Sequence, residues 1–171
     1  MVKRKSSQKK KASPKKVSPI PKAFHAVTPG LAVRDAAQAI EFYKKAFGAK
    51  EKGRMPGPDG KLMHADIMIG DSHIMMGEEN VQMNNPSPLS LNGSPISLYV
   101  YVRDADKVFN QAVKEGATVA MPMMDQFWGD RAGMVTDPYG HKWWLATHKR
   151  DLSPKEMKKA AEQSFASMSK Q

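Results

Sequence analysis

The sequence predicts an α+β fold built from two tandem copies of one βαβββ module, followed by a C-terminal helix. The tetrapeptide Val33-Arg34-Asp35-Ala36 recurs letter for letter as Val102-Arg103-Asp104-Ala105, 69 residues later, and each copy joins a strand-like run to a helix-like run. The glycines that end the two helical runs, Gly48 and Gly116, lie 68 residues apart. This spacing exceeds the roughly 20–50 residues of solenoid repeats. We therefore expect two copies of a small module, with a ligand site where they meet.

The first module reads as a strand, a helix and three more strands. Residues 24–33 predict a strand, in which Pro29-Gly30 indicates a bulge or an edge position because proline cannot donate to a ladder. Asp35 suits a helix N-cap, and apolar residues at spacings of three and four continue from it to Gly48. The three further strands are predicted, between turn signals, at 49–55, 61–69 and 72–77.

The second module repeats this order, with a strand at 96–102, a helix at 104–115 and strands at 117–122, 131–136 and 141–147. After it, Ser153-Pro154 with Glu156 forms a capping box that predicts a helix over 154–168. The predicted organisation is therefore a tail at 1–22, a domain at 23–148 with modules 23–77 and 94–148 joined by a linker at 78–93, and a helical extension at 149–171.

The net charge of +10 is concentrated in residues 1–22. They hold nine of the 27 basic residues and no acidic residue, which leaves 18 basic and 17 acidic residues elsewhere. This tail is rich in Lys, Ser and Pro, so we expect it to be disordered. It is either a solubilising extension, which we favour, or an arm making weak, nonspecific contacts with nucleic acid or another polyanion.

Cysteine is absent, and no apolar run approaches the roughly 18–20 residues that span a bilayer. The first of these observations excludes disulfides and thiolate metal sites, and the second argues against a membrane partner. We expect a soluble, cytoplasmic protein.

Several motifs together resemble the vicinal oxygen chelate superfamily, which includes glyoxalase I, bleomycin-resistance proteins and extradiol dioxygenases. The resemblance rests on the two modules, on Ala39-Ile40-Glu41-Phe42-Tyr43 with Phe47-Gly48, and on Asp137-Pro138-Tyr139-Gly140-His141. Motifs similar to the PhnB-like branch are Met55-Pro56, Asp59-Gly60, His64-Ala65-Asp66, Gly70-Asp71-Ser72, Trp128-Gly129-Asp130-Arg131, Ala146-Thr147-His148 and Ser153-Pro154.

The resemblance implies a glyoxalase-like fold, with a U-shaped, mostly antiparallel sheet around a cleft. It also implies a homodimer, because relatives often build their clefts from the modules of two chains. Whether modules pair within or between chains stays open.

Metal-dependent members of this superfamily take four ligands from the first and last strands of the two modules. The resemblance places those positions at Thr28, Met75, Ser97 and Trp144, which the 69-residue shift also relates in pairs. Hydroxyl, thioether and indole groups are poor ligands for divalent cations. We therefore expect no metal and no other cofactor.

His64 and Asp66 are the candidates for a catalytic pair or for a relocated metal site. They are two residues apart on a predicted strand, so they share the face that is turned toward the cleft. They form either a structural pair in a polar core or a ligand-orienting or acid–base pair, since histidine titrates near neutral pH.

Aromatic side chains dominate the rest of the predicted concave face. Strand alternation groups Ser97, Tyr99 and Tyr101, and also groups Trp144 with His148. The predicted ligand pocket comprises Thr28, His64, Asp66, Met75, Ser97, Tyr99, Tyr101, Trp128, Asp130 and Trp144.

Such a surface suits a flat apolar molecule or a cation. We expect a metal-free protein that binds a small organic molecule in this cleft. The alternative is a lyase, isomerase or dioxygenase of the superfamily with a relocated divalent metal.

Overall fold

The computed structural model describes residues 17–168 of the chain. Over this range it has eight strands and three α-helices in the predicted order, which confirms the α+β class and both βαβββ modules. The elements are β1 Gly30–Val33, α1 Ala36–Phe47, β2 Lys50–Pro56, β3 Leu62–Ile69, β4 Ser72–Glu78, a 3-10 turn Val81–Met83, β5 Ser97–Tyr101, α2 Ala105–Lys114, β6 Thr118–Asp125, β7 Asp130–Thr136, β8 Lys142–His148 and α3 Pro154–Met168.

Each module forms its own four-stranded mixed sheet. The strand orders are β1-β4-β3-β2 and β5-β8-β7-β6. In each sheet the first strand runs parallel to the last strand, and the other pairs are antiparallel. The two sheets therefore repeat one topology, in which β1 and β5 are equivalent edge strands.

Two strand boundaries differ from the prediction by more than one residue. β1 begins at Gly30 and not at residue 24, so the prediction is wrong over 24–29. Pairing with β4 starts at Pro29-Gly30, where the carbonyl of Pro29 accepts a hydrogen bond from the N–H of Met75 at 2.9 Å. β6 continues three residues past its predicted end at Pro122, because it is an edge strand whose register shifts around that proline.

The repeated aspartate caps a helix in both modules. The side chain of Asp35 accepts from the backbone N–H of Gln38, and that of Asp104 accepts from the N–H of Lys107. Each bond satisfies one of the orphan donors of a helix N-terminus. The three predicted helices agree with the observed ones to within one residue at either end.

A buried carboxylate joins the first module to the second. Asp137 accepts from the hydroxyl of Tyr43 on α1 at 2.7 Å and from the indole Nε1 of Trp143 at 2.8 Å. Its other oxygen accepts from the N–H groups of Tyr139 and His141, both at 2.9 Å. The main hydrophobic core also contains residues of both modules, so the modules share one interior.

The segment between β4 and β5 is tied down by Glu79. Its carboxylate accepts from Ser90 Oγ at 2.6 Å, from Ser87 Oγ at 2.7 Å and from Arg34 Nε at 2.6 Å. These donors, with Ser90 the strongest influence, lower the pKa of Glu79 to about 2. The segment is thus held against the start of α1.

Of the tail at residues 1–22, which we expect to be disordered, residues 1–16 lie outside the described residues. Residues 17–22 are exposed and form neither helix nor strand. At the other end, Ser153 and Glu156 form the predicted capping box, with the N–H of Ser153 donating to Glu156 Oε2 at 2.9 Å. Within residues 17–168, no helix combines the length and apolar character needed to cross a membrane.

Candidate ligand site

The second sheet carries a buried carboxylate beneath aromatic side chains. Asp130, the first residue of β7, is 2% exposed. Its Oδ2 accepts from the hydroxyl of Tyr101 at 2.9 Å, from Nε1 of Trp128 at 3.0 Å and from the hydroxyl of Tyr99 at 3.3 Å. Its Oδ1 lies 2.8 Å from Nδ1 of His148. Four neighbouring groups therefore converge on one acidic side chain.

Strand register brings these groups together. Tyr99 on β5 lies opposite Trp144 on β8, and Asp130 on β7 lies opposite His148 on β8. Between these pairs lies Ala146, which is fully buried. A small residue at this position leaves room for the rings above it.

The rings of Tyr99, Tyr101, Trp128 and Trp144 form what we call the aromatic wall. Tyr99 is stacked on Trp144 with centroids 5.7 Å apart, and it lies 5.1 Å from Tyr101. Trp128 meets Trp144 edge to face at 6.4 Å. Because the rings contact one another, they present a continuous surface and not a slot. Tyr101 is 62% exposed and Tyr99 is 41% exposed, so this surface is open.

The protonation states of this cluster follow from its hydrogen bonds. Burial alone would raise the pKa of Asp130, but the donors His148, Tyr101 and Trp128 outweigh it and lower that pKa. Donation to Asp130 raises the pKa of Tyr101 to about 12. The pKa of His148 is raised by Asp130 and then by Asp151, whose Oδ1 lies 3.0 Å from Nε2. The site therefore holds an ionised Asp130 and neutral phenols, and it favours an imidazolium at His148.

The predicted pair of His64 and Asp66 is not formed. Asp66 is paired instead with Nδ1 of His73, which lies 2.8 and 2.9 Å from its two oxygens. The register of β3 and β4 makes Asp66 and His73 diagonal neighbours, and Phe24 stacks on the imidazole with centroids 4.1 Å apart. His64 is exposed on the same face, and its imidazole has no hydrogen-bond partner among the described residues.

The structure divides the ten predicted pocket residues between the two modules. Ser97, Tyr99, Tyr101, Trp128, Asp130 and Trp144 belong to the second module, whereas Thr28, His64, Asp66 and Met75 belong to the first. In the single chain, the wall and Asp130 form one cluster, and Asp66 forms another with His73.

The four metal-ligand positions of the superfamily are likewise divided. Trp144 is part of the wall, and Ser97 lies opposite Lys142 on β8. Met75 lies opposite Gly30, and Thr28 precedes β1. Their side chains do not fit a divalent cation. Within residues 17–168, no group of three or more His, Asp or Glu side chains is arranged to hold a metal.

A groove of about 680 Å³ runs between the modules, next to the aromatic wall. It is lined by residues 98–102, by the β3–β4 turn at 69–74, by His25 and residues 27–29, and by Phe47 and Trp143. The groove therefore brings the predicted pocket residue Thr28 together with Tyr99 and Tyr101. Because consecutive strand residues point to opposite faces, a groove touching all of 98–102 must follow the free edge of β5. Tyr99 and Tyr101 border both this groove and the aromatic wall.

Sequence reasoning missed three contributors to these clusters. His148 was expected on the face of the wall but not in the site, and Asp151 and His73 were not expected in any site. Strand alternation gives the face of a side chain, but its partner across the sheet depends on register. For Asp151, its spacing of three residues from His148 was the available signal.

Comparison with known proteins identifies the family. The model for the Glyoxalase/Bleomycin resistance protein/Dioxygenase superfamily matches residues 23–145. The chain belongs to this superfamily. It is 45% identical over 142 residues to an uncharacterized protein of Mycobacterium bovis, a match covering 79% of this chain and 91% of that one. An uncharacterized protein of Mycobacterium tuberculosis matches equally over 81% of its length.

Several solved structures share this architecture. TioX from Micromonospora is 26% identical with a TM-score of 0.56, covering 75% of this chain and all (100%) of that one. TnmS3, an antibiotic binding protein from Streptomyces, is 22% identical with a TM-score of 0.56, at 73% and 96% coverage. A PhnB protein from Bacillus cereus is 19% identical with a TM-score of 0.57, at 72% and 99% coverage. The last two likenesses concern the fold alone.

Proposed function

We propose that this superfamily member binds a small organic molecule on the aromatic wall of its second module. The observation that carries the proposal is Asp130, whose hydrogen bonds hold Tyr99, Tyr101 and Trp128 in place. A surface fixed in advance avoids part of the entropy cost of binding. Exposed aromatic rings that contact one another form an apolar patch of the kind that marks an interaction site.

Binding is favoured over the catalytic alternative because the residues proposed for catalysis lack the arrangement it needs. Asp66 is held by His73, so His64 has no carboxylate partner among the described residues. In the wall cluster, both ring nitrogens of His148 face carboxylates, so neither is free to accept a proton from a substrate.

The test is a thermal-shift screen of flat aromatic and cationic compounds, with and without EDTA. We expect compounds that raise the melting temperature equally in both conditions, because binding on the wall needs no metal. Tyr101→Ala should weaken the binding of these compounds at least tenfold. Leu91→Ala, which removes a similarly exposed apolar side chain outside the wall, should leave it unchanged. A melting temperature that no compound moves, or a response abolished by EDTA, would count against the proposal.

We also propose that two copies of the chain associate with the open faces of their sheets turned toward a shared cleft. Outside the aromatic wall, these faces expose the large apolar side chains of Met55, Met75 and Met124. Contiguous exposed apolar surface often marks an interface. Light scattering should give twice the chain mass of 19.0 kDa, and a monomer at micromolar concentration would refute the dimer.

For residues 1–22 we propose a solubilising role in a cytoplasmic protein, with weak polyanion binding as the alternative. An arm on nucleic acid would give an affinity that falls steeply with salt. If deletion of residues 1–22 leaves DNA affinity unchanged, the arm is excluded. If deletion abolishes DNA binding without changing solubility, the solubilising role is wrong.

A further inference from the structure

We propose that the ligand of the aromatic wall is an organic cation, such as an aromatic ammonium compound, and not a neutral aromatic molecule. The inference rests on the proposed ligand site and specifies its chemistry. It is carried by the direction in which the polar hydrogens of the wall point and by the charges around them.

Three of the four rings of the wall donate their polar hydrogen to Asp130. A phenol has one O–H and an indole has one N–H. The hydroxyls of Tyr99 and Tyr101 and the N–H of Trp128 all point to Oδ2 of that carboxylate. The phenol oxygens keep lone pairs that can still accept. Toward a ligand, these three rings therefore present aromatic faces and acceptors.

Trp144 is the exception. Its indole N–H has no hydrogen-bond partner among the described residues, so it is the one polar hydrogen of the wall open to a ligand. The wall therefore offers a ligand one hydrogen-bond donor, two phenol oxygens that can accept, and the faces of its aromatic rings. A neutral ligand with several acceptors would find few donors here.

The charges under the wall act in the same direction. A phenol that donates to an anion gains electron density on its ring, which strengthens the attraction of the ring face for a cation. Asp130 and Asp151 flank a single imidazolium at His148, so these three side chains together carry one excess negative charge, beside the exposed cations Lys149 and Arg150. The neighbouring Arg131 belongs to the opposite face of β7, where Asp106 binds it with two contacts of 2.7 Å.

Asp130 acts as a positioning residue in this scheme. At 2% exposure it cannot touch a ligand itself. It orients the polar hydrogens inward and supplies the charge that polarises the rings. Its removal should therefore change the preference for a cation over a neutral molecule of the same shape, and not the contact area.

The experiment compares 3-hydroxyphenyltrimethylammonium with 3-tert-butylphenol, which have nearly the same shape and differ by one charge. Binding is followed by NMR through the indole N–H signals of the three tryptophans. Trp128 and Trp144 report on the wall, and Trp143 reports on the core and the groove. We expect the ammonium compound to shift the wall signals and to bind roughly three- to thirtyfold tighter than the neutral one.

Three variants make the test specific. Asp130→Asn and Tyr101→Phe should lower the ratio of cation affinity to neutral affinity toward one, because the ammonium compound loses more affinity than the neutral compound does. Tyr139→Phe alters a tyrosine that packs against Phe42 on α1, away from the wall, and should leave the ratio unchanged. Tyr101→Phe preserves the test if Asp130→Asn does not fold, because Tyr101 is exposed.

The outcomes separate this inference from the proposed function. If the neutral compound binds equally well or better and shifts Trp128 and Trp144, the ligand class is wrong and the site stands. If the ratio is unchanged in Asp130→Asn and Tyr101→Phe, the role of Asp130 is wrong. If neither compound shifts these signals at millimolar concentration, both the site and its ligand class are refuted.

Discussion

Replacing Tyr43 by phenylalanine tests the link between the two modules. Tyr43 lies on α1 and is fully buried, and its hydroxyl donates to Asp137 at 2.7 Å. Burial, followed by the charge of Asp137, raises the pKa of Tyr43 well above its usual value, so the hydroxyl stays protonated and remains a donor. The substitution removes this one contact and keeps the ring.

The expected loss of stability follows from the partners that remain. A hydrogen bond to a charged group contributes roughly 1.5–3 kcal/mol. In Tyr43→Phe, Asp137 keeps Trp143 and two backbone N–H groups as donors, so its charge is still compensated. The ring still fills its space, so no cavity term is added. We expect a decrease in the free energy of unfolding of about 2 kcal/mol.

Urea denaturation at a fixed protein concentration measures this change. The midpoint should fall while the slope with denaturant stays the same, because the surface exposed on unfolding is unchanged. Tyr139→Phe is the control, since its hydroxyl has no hydrogen-bond partner among the described residues. A loss below about 0.5 kcal/mol in Tyr43→Phe, or an equal loss in the control, would show that the bond to Asp137 does not hold the modules together.

Three further predictions concern the surroundings of the site. Gly129 has a φ of 101° and an added Cβ would collide with the carbonyl of Arg150, so Gly129→Ala should cost about 2–4 kcal/mol in urea denaturation. The pKa of His148 measured by NMR should lie above 6.5, and it should be lower in Asp130→Asn. The contribution of His148 to stability is complete below pH 6.5 and is lost as the pH rises through the raised pKa. Glu79, with a pKa of about 2, stabilises above about 4.5 and loses this effect as pH falls toward 2. Glu79→Gln should therefore flatten the acid limb of the stability curve and speed proteolysis within residues 80–95; an unchanged curve would contradict the anchoring role.

The helices could be predicted closely because their signals are local. Asp35 and Asp104 cap the helices that follow them, and Ser153 with Glu156 begins α3, as expected. The start of β1 was misjudged because apolar residues before Pro29 resemble a strand in sequence. In the structure, Phe24 packs on His73, a contact between segments distant in sequence that no local pattern reveals.

The sheet face on which each site residue lies could be predicted from the sequence, but its side-chain partner could not. Strand alternation correctly grouped Tyr99 with Tyr101, and Trp144 with His148. The partner of Asp66 was misjudged because hairpin register, and not alternation, selects between His64 and a residue of the next strand. A turn before β7 brings Trp128 and Asp130 next to the other rings, and the geometry of this turn depends on Gly129.

A crystal structure with the tightest compound from the thermal-shift screen tests the central claim most directly. We expect ligand density against Tyr101 and Trp144, with Asp130 still accepting hydrogen bonds from the rings above it. Density in the groove against Phe47 and Trp143, or beside His64 on the first sheet, would show that the aromatic wall is not the binding site.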